Sequence, residues 1–267
     1  MLHLSIIMNG TPSRHKPLDT EYGLSILVNY NDTHILFDTG YDDNFISNAE
    51  KMGYDLRNLQ AVVLSHAHFN SVAGYDVLLE RNMAPENIFI GSHFFEPKYV
   101  KNGPVFTNMN STLTKDKLLK SGIKIKEVNQ HLKLTEGLYL ITCSARSPHA
   151  LMSSESCLRY NGRKFVKDDF ADEIALVAVV KEGLVLITSS CHRGICNAVN
   201  YIKRSTNRPV SAVIGGMTPA FTARELSYLK ESGVKFIGIC NERCNLEDKP
   251  TTSIRTIKVA VGDEFFF

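Results

Sequence analysis

The residues best suited to chemistry in this 267-residue chain lie in one stretch, Leu64-Ser65-His66-Ala67-His68-Phe69-Asn70-Ser71-Val72-Ala73-Gly74. The apolar run Ala61-Val62-Val63-Leu64 leads straight into it, as a buried strand does when it ends at a polar turn. Two histidines one residue apart at a strand exit can turn both imidazoles toward one point. Neutral imidazole suits zinc and its neighbours among the transition metals. The same spacing also fits two exposed histidines on a turn, and the rest of the chain has to decide between these readings.

A second polar cluster, Thr188-Ser189-Ser190-Cys191-His192-Arg193-Gly194, follows the apolar run 184–187 and precedes the helical pattern of Ile195, Val199 and Ile202. Exposed amides at a helix start, with Arg193 and Gly194 beside them, suit a phosphate or a carboxylate. A plain surface arginine is the alternative. A third cluster, Gly215-Gly216-Met217-Thr218, ends the apolar run 210–214 and makes Thr218 a further candidate for substrate contact.

The elements that must position these clusters can be read from periodicity. Strands are expected over 2–8, 24–28, 34–37, 61–64, 87–90, 138–141, 174–180, 184–187, 210–214, 234–239 and 257–261. Asn31-Asp32 and Lys181-Glu182-Gly183 mark hairpin turns. Phe45, Ile46, Ala49 and Met52 recur at helical spacing before Gly53, a C-cap signal. Pro219 is placed to start a helix whose apolar face is Phe221, Leu226 and Leu229. Residues 97–120 read as a loop with a short helix near 113–119, Ile123, Ile125 and Val128 suggest a strand, Leu132 and Leu134 alternate, and residues 144–169 read as a polar surface excursion, with a lid as the alternative. Strands alternating with helices define an α/β layout with the polar clusters at strand exits, where such proteins build sites. No linker composition interrupts the chain, so residues 1–267 are expected to form a single domain with two sheet halves.

Composition excludes several classes. The chain is 43% apolar with a formal net charge of +2, which fits a globular protein and gives no argument for nucleic acid or an anionic membrane. No apolar run is long enough to span a bilayer. The first residues lack a charged segment followed by an apolar block, so a cytoplasmic location is expected. Six cysteines in a chain of this length fit reduced thiols rather than a disulfide framework.

Taken together, Asp38-Thr39-Gly40, the His66-x-His68 element and His192 at a later strand end resemble the metallo-β-lactamase superfamily. More narrowly, the chain is similar to the branch of dihydropterin-type methyl-ribofuranosyl-aminobenzene phosphate synthases. Its Glu21-Tyr22-Gly23-Leu24-Ser25 stands for Glu-His-Gly-Leu-Ser, and Asp168-Asp169-Phe170-Ala171-Asp172-Glu173 stands for Asp-Asp-Phe-x-Asp-Glu. Cys191-His192-Arg193-Gly194-Ile195 stands for Ser-His-x-Gly-Ile, and Gly215-Gly216-Met217-Thr218-Pro219 for Gly-Gly-Phe-His-Leu. The resemblance implies a four-layer αββα sandwich with metal held between the sheet edges.

The departures from the family pattern are as informative. The superfamily motif is His-x-His-x-Asp-His, and here its last two ligands are Asn70 and Ser71. The branch ends its final central strand in His-Cys-Thr-Gly. Matched on Cys240, that histidine falls on Ile239; shifted by two places it falls on Asn241. The resemblance therefore implies one intact metal site, His66, His68 and His192, beside a second one stripped to Asn70, Ser71 and Asn241. Asp38 is expected to orient a ligand histidine, with turn capping as the alternative. Asp172 and Glu173 are expected to tie loops together. Cys240 and Cys244 could replace a lost ligand, although small buried cysteines are the commoner outcome. His149 is a weak fourth-ligand candidate. The expected function is a metal-dependent hydrolase with one zinc, or another transition metal, acting on a small anionic, phosphorylated or pterin-like molecule. The alternative is a catalytically impaired pseudoenzyme that binds a related ligand. A scaffold with vestigial histidines is opposed by the intact triad.

Overall fold

The computed structural model describes residues 1–142, 156–216, 222–240 and 253–267. The first part of the chain runs β1 (Leu2–Met8), β2 (Ser25–Tyr30), β3 (Thr33–Phe37), α1 (Asn44–Lys51), β4 (Ala61–Val63), the short helices α2 (Phe69–Val72) and α3 (Gly74–Glu80), and β5 (Asn87–Gly91). Then come β6 (Lys98–Asn102), β7 (Val105–Asn108), α4 (Lys115–Lys120), β8 (Lys124–Val128), β9 (His131–Thr135), β10 (Leu138–Thr142), β11 (Cys157–Tyr160) and β12 (Phe165–Lys167). The last part holds β13 (Ile174–Val180), β14 (Gly183–Thr188), α5 (Ile195–Thr206), β15 (Val210–Gly215), α6 (Ala223–Glu231), β16 (Phe236–Ile239), β17 (Arg255–Lys258) and β18 (Glu264–Phe266).

Among the described residues, two seven-stranded sheets form, ordered β18-β1-β2-β3-β4-β5-β8 and β17-β16-β15-β14-β13-β10-β9. Each joins an antiparallel half to a parallel half: β3, β4, β5 and β8 run parallel in the first, and β14 to β17 in the second. Parallel neighbours need crossovers, and among the described residues α1, α2 with α3, α5 and α6 supply those of β3–β4, β4–β5, β14–β15 and β15–β16. Strands of such sheets are covered on both faces, hence the apolar runs Ala61–Val63 in β4 and Leu184–Ile187 in β14. One core lies between the sheets and includes Leu4, Ile26, Phe37, Val63, Leu140, Leu176 and Ile187. A second lies under α5 and α6, around Leu186, Val199, Val213 and Leu229. A third lies under α1, α3 and α4, around Phe45, Val62, Tyr75, Leu78 and Leu118. The layers are therefore helix, sheet, sheet, helix. No helix among the described residues is long and apolar enough to cross a membrane.

The structure differs from the sequence reading in the two stretches taken as loops. β6 and β7 form a hairpin within 97–120, β11 and β12 form another, and the two join as a four-stranded sheet β12-β11-β6-β7. These strands are three to five residues long and carry lysine and asparagine, so their alternation is too short and too polar to register as period two. The short helix in the first stretch does form, as α4, with the Thr114 side chain accepting from the Lys117 amide at its start.

At Gly91, which ends β5, close approach requires glycine: a Cβ there would overlap the backbone of Asp172. The bare backbone lets the Asp172 segment lie against the first sheet, beside the exit of β4.

Candidate metal centre

Strand β4 ends one layer deep, and the chain leaves it through Leu64, whose amide donates to Phe89 at 2.9 Å. Ser65 to His68 then form the turn before α2, and His68 stands at the N-cap with extended backbone. From the second sheet, β14 ends at Thr188 and the chain turns through Cys191 at φ +51° and Gly194 at φ +88° before α5 begins. The left-handed residue at Cys191 aims His192 back toward the first sheet. The two turns meet. One ligand atom from each of His66, His68 and His192 lies within 4.8 Å of the other two. The ring centroids are 4.7, 5.0 and 5.1 Å apart. All three residues are buried.

Three buried carboxylates hold this arrangement. Asp38, left-handed at φ +59° after β3, accepts from the Ser65 amide and the Ser65 hydroxyl, both at 2.7 Å. Ser65 Oγ lies 2.7 Å from His66 Nδ1. Ionised Asp38 only accepts, so in that state the hydroxyl proton goes to Asp38 and Ser65 Oγ takes the Nδ1–H of His66. That leaves the lone pair on His66 Nε2, a buried atom with no hydrogen-bond partner among the described residues. Asp172 Oδ2 accepts from the Ala67 amide at 2.8 Å, between the first two histidines. Glu173 accepts from the His192 amide at 2.6 Å and the Arg193 amide at 2.9 Å. One acid thus acts on His66, one on the turn between His66 and His68, and one on the turn of His192.

Burial sets the protonation of the cluster. It pushes His68 down to about 4, with Asp172 opposing and Lys98 assisting. His66 and His192 fall well below the ordinary imidazole value for the same reason, reinforced by the neighbouring rings. All three are neutral at pH 7, the form that ligates metal. Burial raises Asp38 to about 7 against the bonds from Ser65 and Ser189, and raises Glu173 to about 7 against the amides of Arg193 and His192.

Other candidates fall as follows. Asn70 and Ser71 lie on α2, directly after His68; the Ser71 carbonyl accepts from the Thr39 amide at 2.9 Å. Arg193 is half-buried beside His192, and Gly194 is the N-cap of α5, its amide donating to Cys191 O at 2.9 Å. Asn241, Thr218, Cys244 and His149 lie outside the described residues. Cys240 packs in the core between the sheets, and burial holds its thiol far above the ordinary value. His93 pairs with Glu96, and His3 with Glu264, away from the cluster. Two contributors went unread in the sequence. Phe170 stacks on His192 at 4.4 Å and 12° between planes, and Lys98 forms a buried ion pair with Asp172. The lone aromatic in the acidic stretch 168–173 was a usable signal for Phe170. Lys98, in a lysine-rich segment, gave none.

Two sheets back to back between helix layers, with three histidines at the strand exits, give the chain a metallo-β-lactamase-type fold. Residues 18–104 match the family model of the metallo-β-lactamase superfamily. The chain is 28% identical over 250 residues to the 7,8-dihydropterin-6-methyl-4-(beta-D-ribofuranosyl)-aminobenzene-5'-phosphate synthase of Methanocaldococcus jannaschii, covering 86% of this chain and 83% of that protein. An uncharacterized protein of the same organism is 26% identical over 218 residues, covering 80% and 78%. Among solved structures, a metal-dependent hydrolase of the beta-lactamase superfamily shares the fold with a TM-score of 0.80 at 22% identity, over 100% of this chain and 99% of that one.

Proposed function

We propose that the protein is a metal-dependent hydrolase that holds one divalent transition-metal ion, zinc in the first instance, on His66, His68 and His192, and acts on a small phosphorylated, pterin-like anion. The observation that carries this reading is the cluster itself: three buried, neutral nitrogen donors within 4.8 Å of one another. The orphaned Nε2 of His66, whose tautomer the Asp38–Ser65 relay sets, fits a ligand better than a core histidine, which would find a hydrogen-bond partner. Bound there, such an ion supplies Lewis acidity.

The chain's own residues have separate tasks. Asn70 and Ser71 stand where the superfamily motif has an aspartate and a histidine, so they offer hydrogen bonds and no second set of ligands. Asn70 orients a polar group but takes up no proton. Asn241 would complete that set of neutral groups, and Thr218 would contact substrate. Arg193, beside His192, is the residue for the substrate's anionic group, with Gly194 allowing the backbone to come close. The phosphate in the name of the synthase relative supports an anionic substrate.

The test has two parts. Protein purified without added metal should carry close to one ion per chain and should turn over phosphoesters of pterins or related heterocycles. Metal without turnover of phosphoester, lactone or thioester probes would instead mean a binding protein, and absence of metal would overturn the reading.

Arg193→Ala should weaken binding of inorganic phosphate and phosphorylated pterins about ten- to a hundredfold, the worth of a charge-assisted hydrogen bond of roughly 1.5–3 kcal/mol. Metal per chain should not change. Thermal shift with anionic and neutral ligands on both proteins reads this, and equal anion effects on the two would exclude Arg193 from the site.

A further inference from the structure

Lys98 is the least expected residue near the cluster. It starts β6 of the four-stranded sheet, is 1% exposed, and no histidine of the cluster lies within thirty positions of it but His68. Its Nζ lies 2.9 Å from Asp172 Oδ1 and 3.2 Å from Asp168 Oδ2. The other oxygen of Asp172 accepts from the Ala67 amide at 2.8 Å. A second connection leaves the backbone of the same residue. The Lys98 carbonyl accepts from the Met109 amide at 3.0 Å, and the Met109 carbonyl accepts from the Phe69 amide at 2.8 Å. The amides on both sides of His68 are therefore held from Lys98, one through its side chain and one through its backbone.

We propose that Lys98 is a positioning residue for the metal centre: its ammonium fixes Asp172 on the Ala67 amide, so that docking of the four-stranded sheet sets the His66–His68 turn in ligating geometry. The physical reason is the cost of an unpaired buried charge. Without the ammonium, Asp168 and Asp172 face each other buried and uncompensated. One of them must take up a proton or move. Asp172 then no longer presents a fixed, charged acceptor to Ala67, and the turn gains the freedom to carry His68 off the point shared with His66 and His192. Groups that orient metal ligands in this way typically change metal affinity by about 10- to 100-fold when removed.

The inference rests on the metal reading above, and the experiment separates the two. Lys98→Met keeps the length of the side chain and removes the charge; Asp172→Asn keeps shape and removes the partner. Metal dissociation constants by chelator competition should rise about 10- to 100-fold in Lys98→Met. The double variant should be no weaker than the worse single one, because both changes break the same link. Hydrogen exchange at the Ala67 and Phe69 amides of the metal-free protein should quicken in Lys98→Met, with the amides of β14 and β15 unchanged. Unaltered affinity in a folded Lys98→Met, or fully additive losses, would overturn the proposal. Should Lys98→Met not fold, unaltered affinity in Asp172→Asn overturns it equally. If the wild type retains no metal, the metal reading fails, and exchange at Ala67 and Phe69 still decides whether Lys98 holds the turn.

Discussion

Replacing His192 by alanine is expected to empty the metal centre and leave the fold standing. His66 and His68 come from one turn of the first sheet, and among the described residues His192 alone represents the second sheet in the cluster. Two imidazoles from one turn leave an ion with half of a tetrahedral set, against the three protein ligands of ordinary catalytic zinc sites. Metal per chain after dialysis against a chelator should fall from close to one to close to zero. The backbone around position 192 is held by Glu173 through amides that the substitution does not touch. The loss is one ring, stacked on Phe170, at the edge of the core rather than within it. Near-ultraviolet circular dichroism of the variant should therefore keep a folded signature. Retention of metal by His192→Ala would show that the three nitrogens do not form the site.

Glu173→Ala should produce the largest loss of stability of any single change around the site. The carboxylate is buried and accepts two amides from the turn of His192. Truncation leaves both buried amides without an acceptor, at about 1–3 kcal/mol for each group, roughly 4 kcal/mol in all. In a chain of this size that lowers Tm by ~10 °C. Glu173→Gln keeps an acceptor and should lose less, with a pH dependence of known sign. Burial raises the folded carboxyl from 4.5 to about 7, so between these values the folded state holds a proton that the unfolded chain has released. Wild-type stability from this group therefore falls as pH rises through that window, and glutamine has no such loss. The destabilisation by Glu173→Gln, measured by denaturant titration of metal-free protein, should be greatest near pH 5 and shrink toward pH 7.5. A difference that grows with pH would contradict the raised carboxyl.

How far the sequence could be read follows the reach of each interaction. Ala61 to Leu64 announce a buried strand because burial on both faces demands an unbroken apolar run, and the histidines follow at once. The hairpin of β13 and β14 was legible for the same reason. Asp172 and Glu173 could be expected to tie loops, because they stand directly before the apolar strand that begins at Ile174, where a buried acid needs donors. The role of Lys98 could not be read, since its burial is decided by acids seventy residues further on. The four-stranded sheet escaped because Lys98-Tyr99-Val100-Lys101-Asn102 places lysine and asparagine among its few apolar residues. The stacking of Phe170 on His192 depends on a left-handed backbone at Phe170, φ +49°, which no propensity announces.

The carboxylates of Asp38, Asp172 and Glu173 act on backbone amides and a serine hydroxyl, all supplied by the chain itself. The three rings are thus in place before any ion arrives. Small zinc domains gain their structure from the ion, so that chelation unfolds them. Here the chain's own hydrogen bonds should hold the fold without an ion, so that folding comes before loading. If the proposed metal site is right, the chain should empty and refill, or exchange one ion for another, without passing through an unfolded state, and its metal content should follow supply and affinity at the moment rather than the history of its folding.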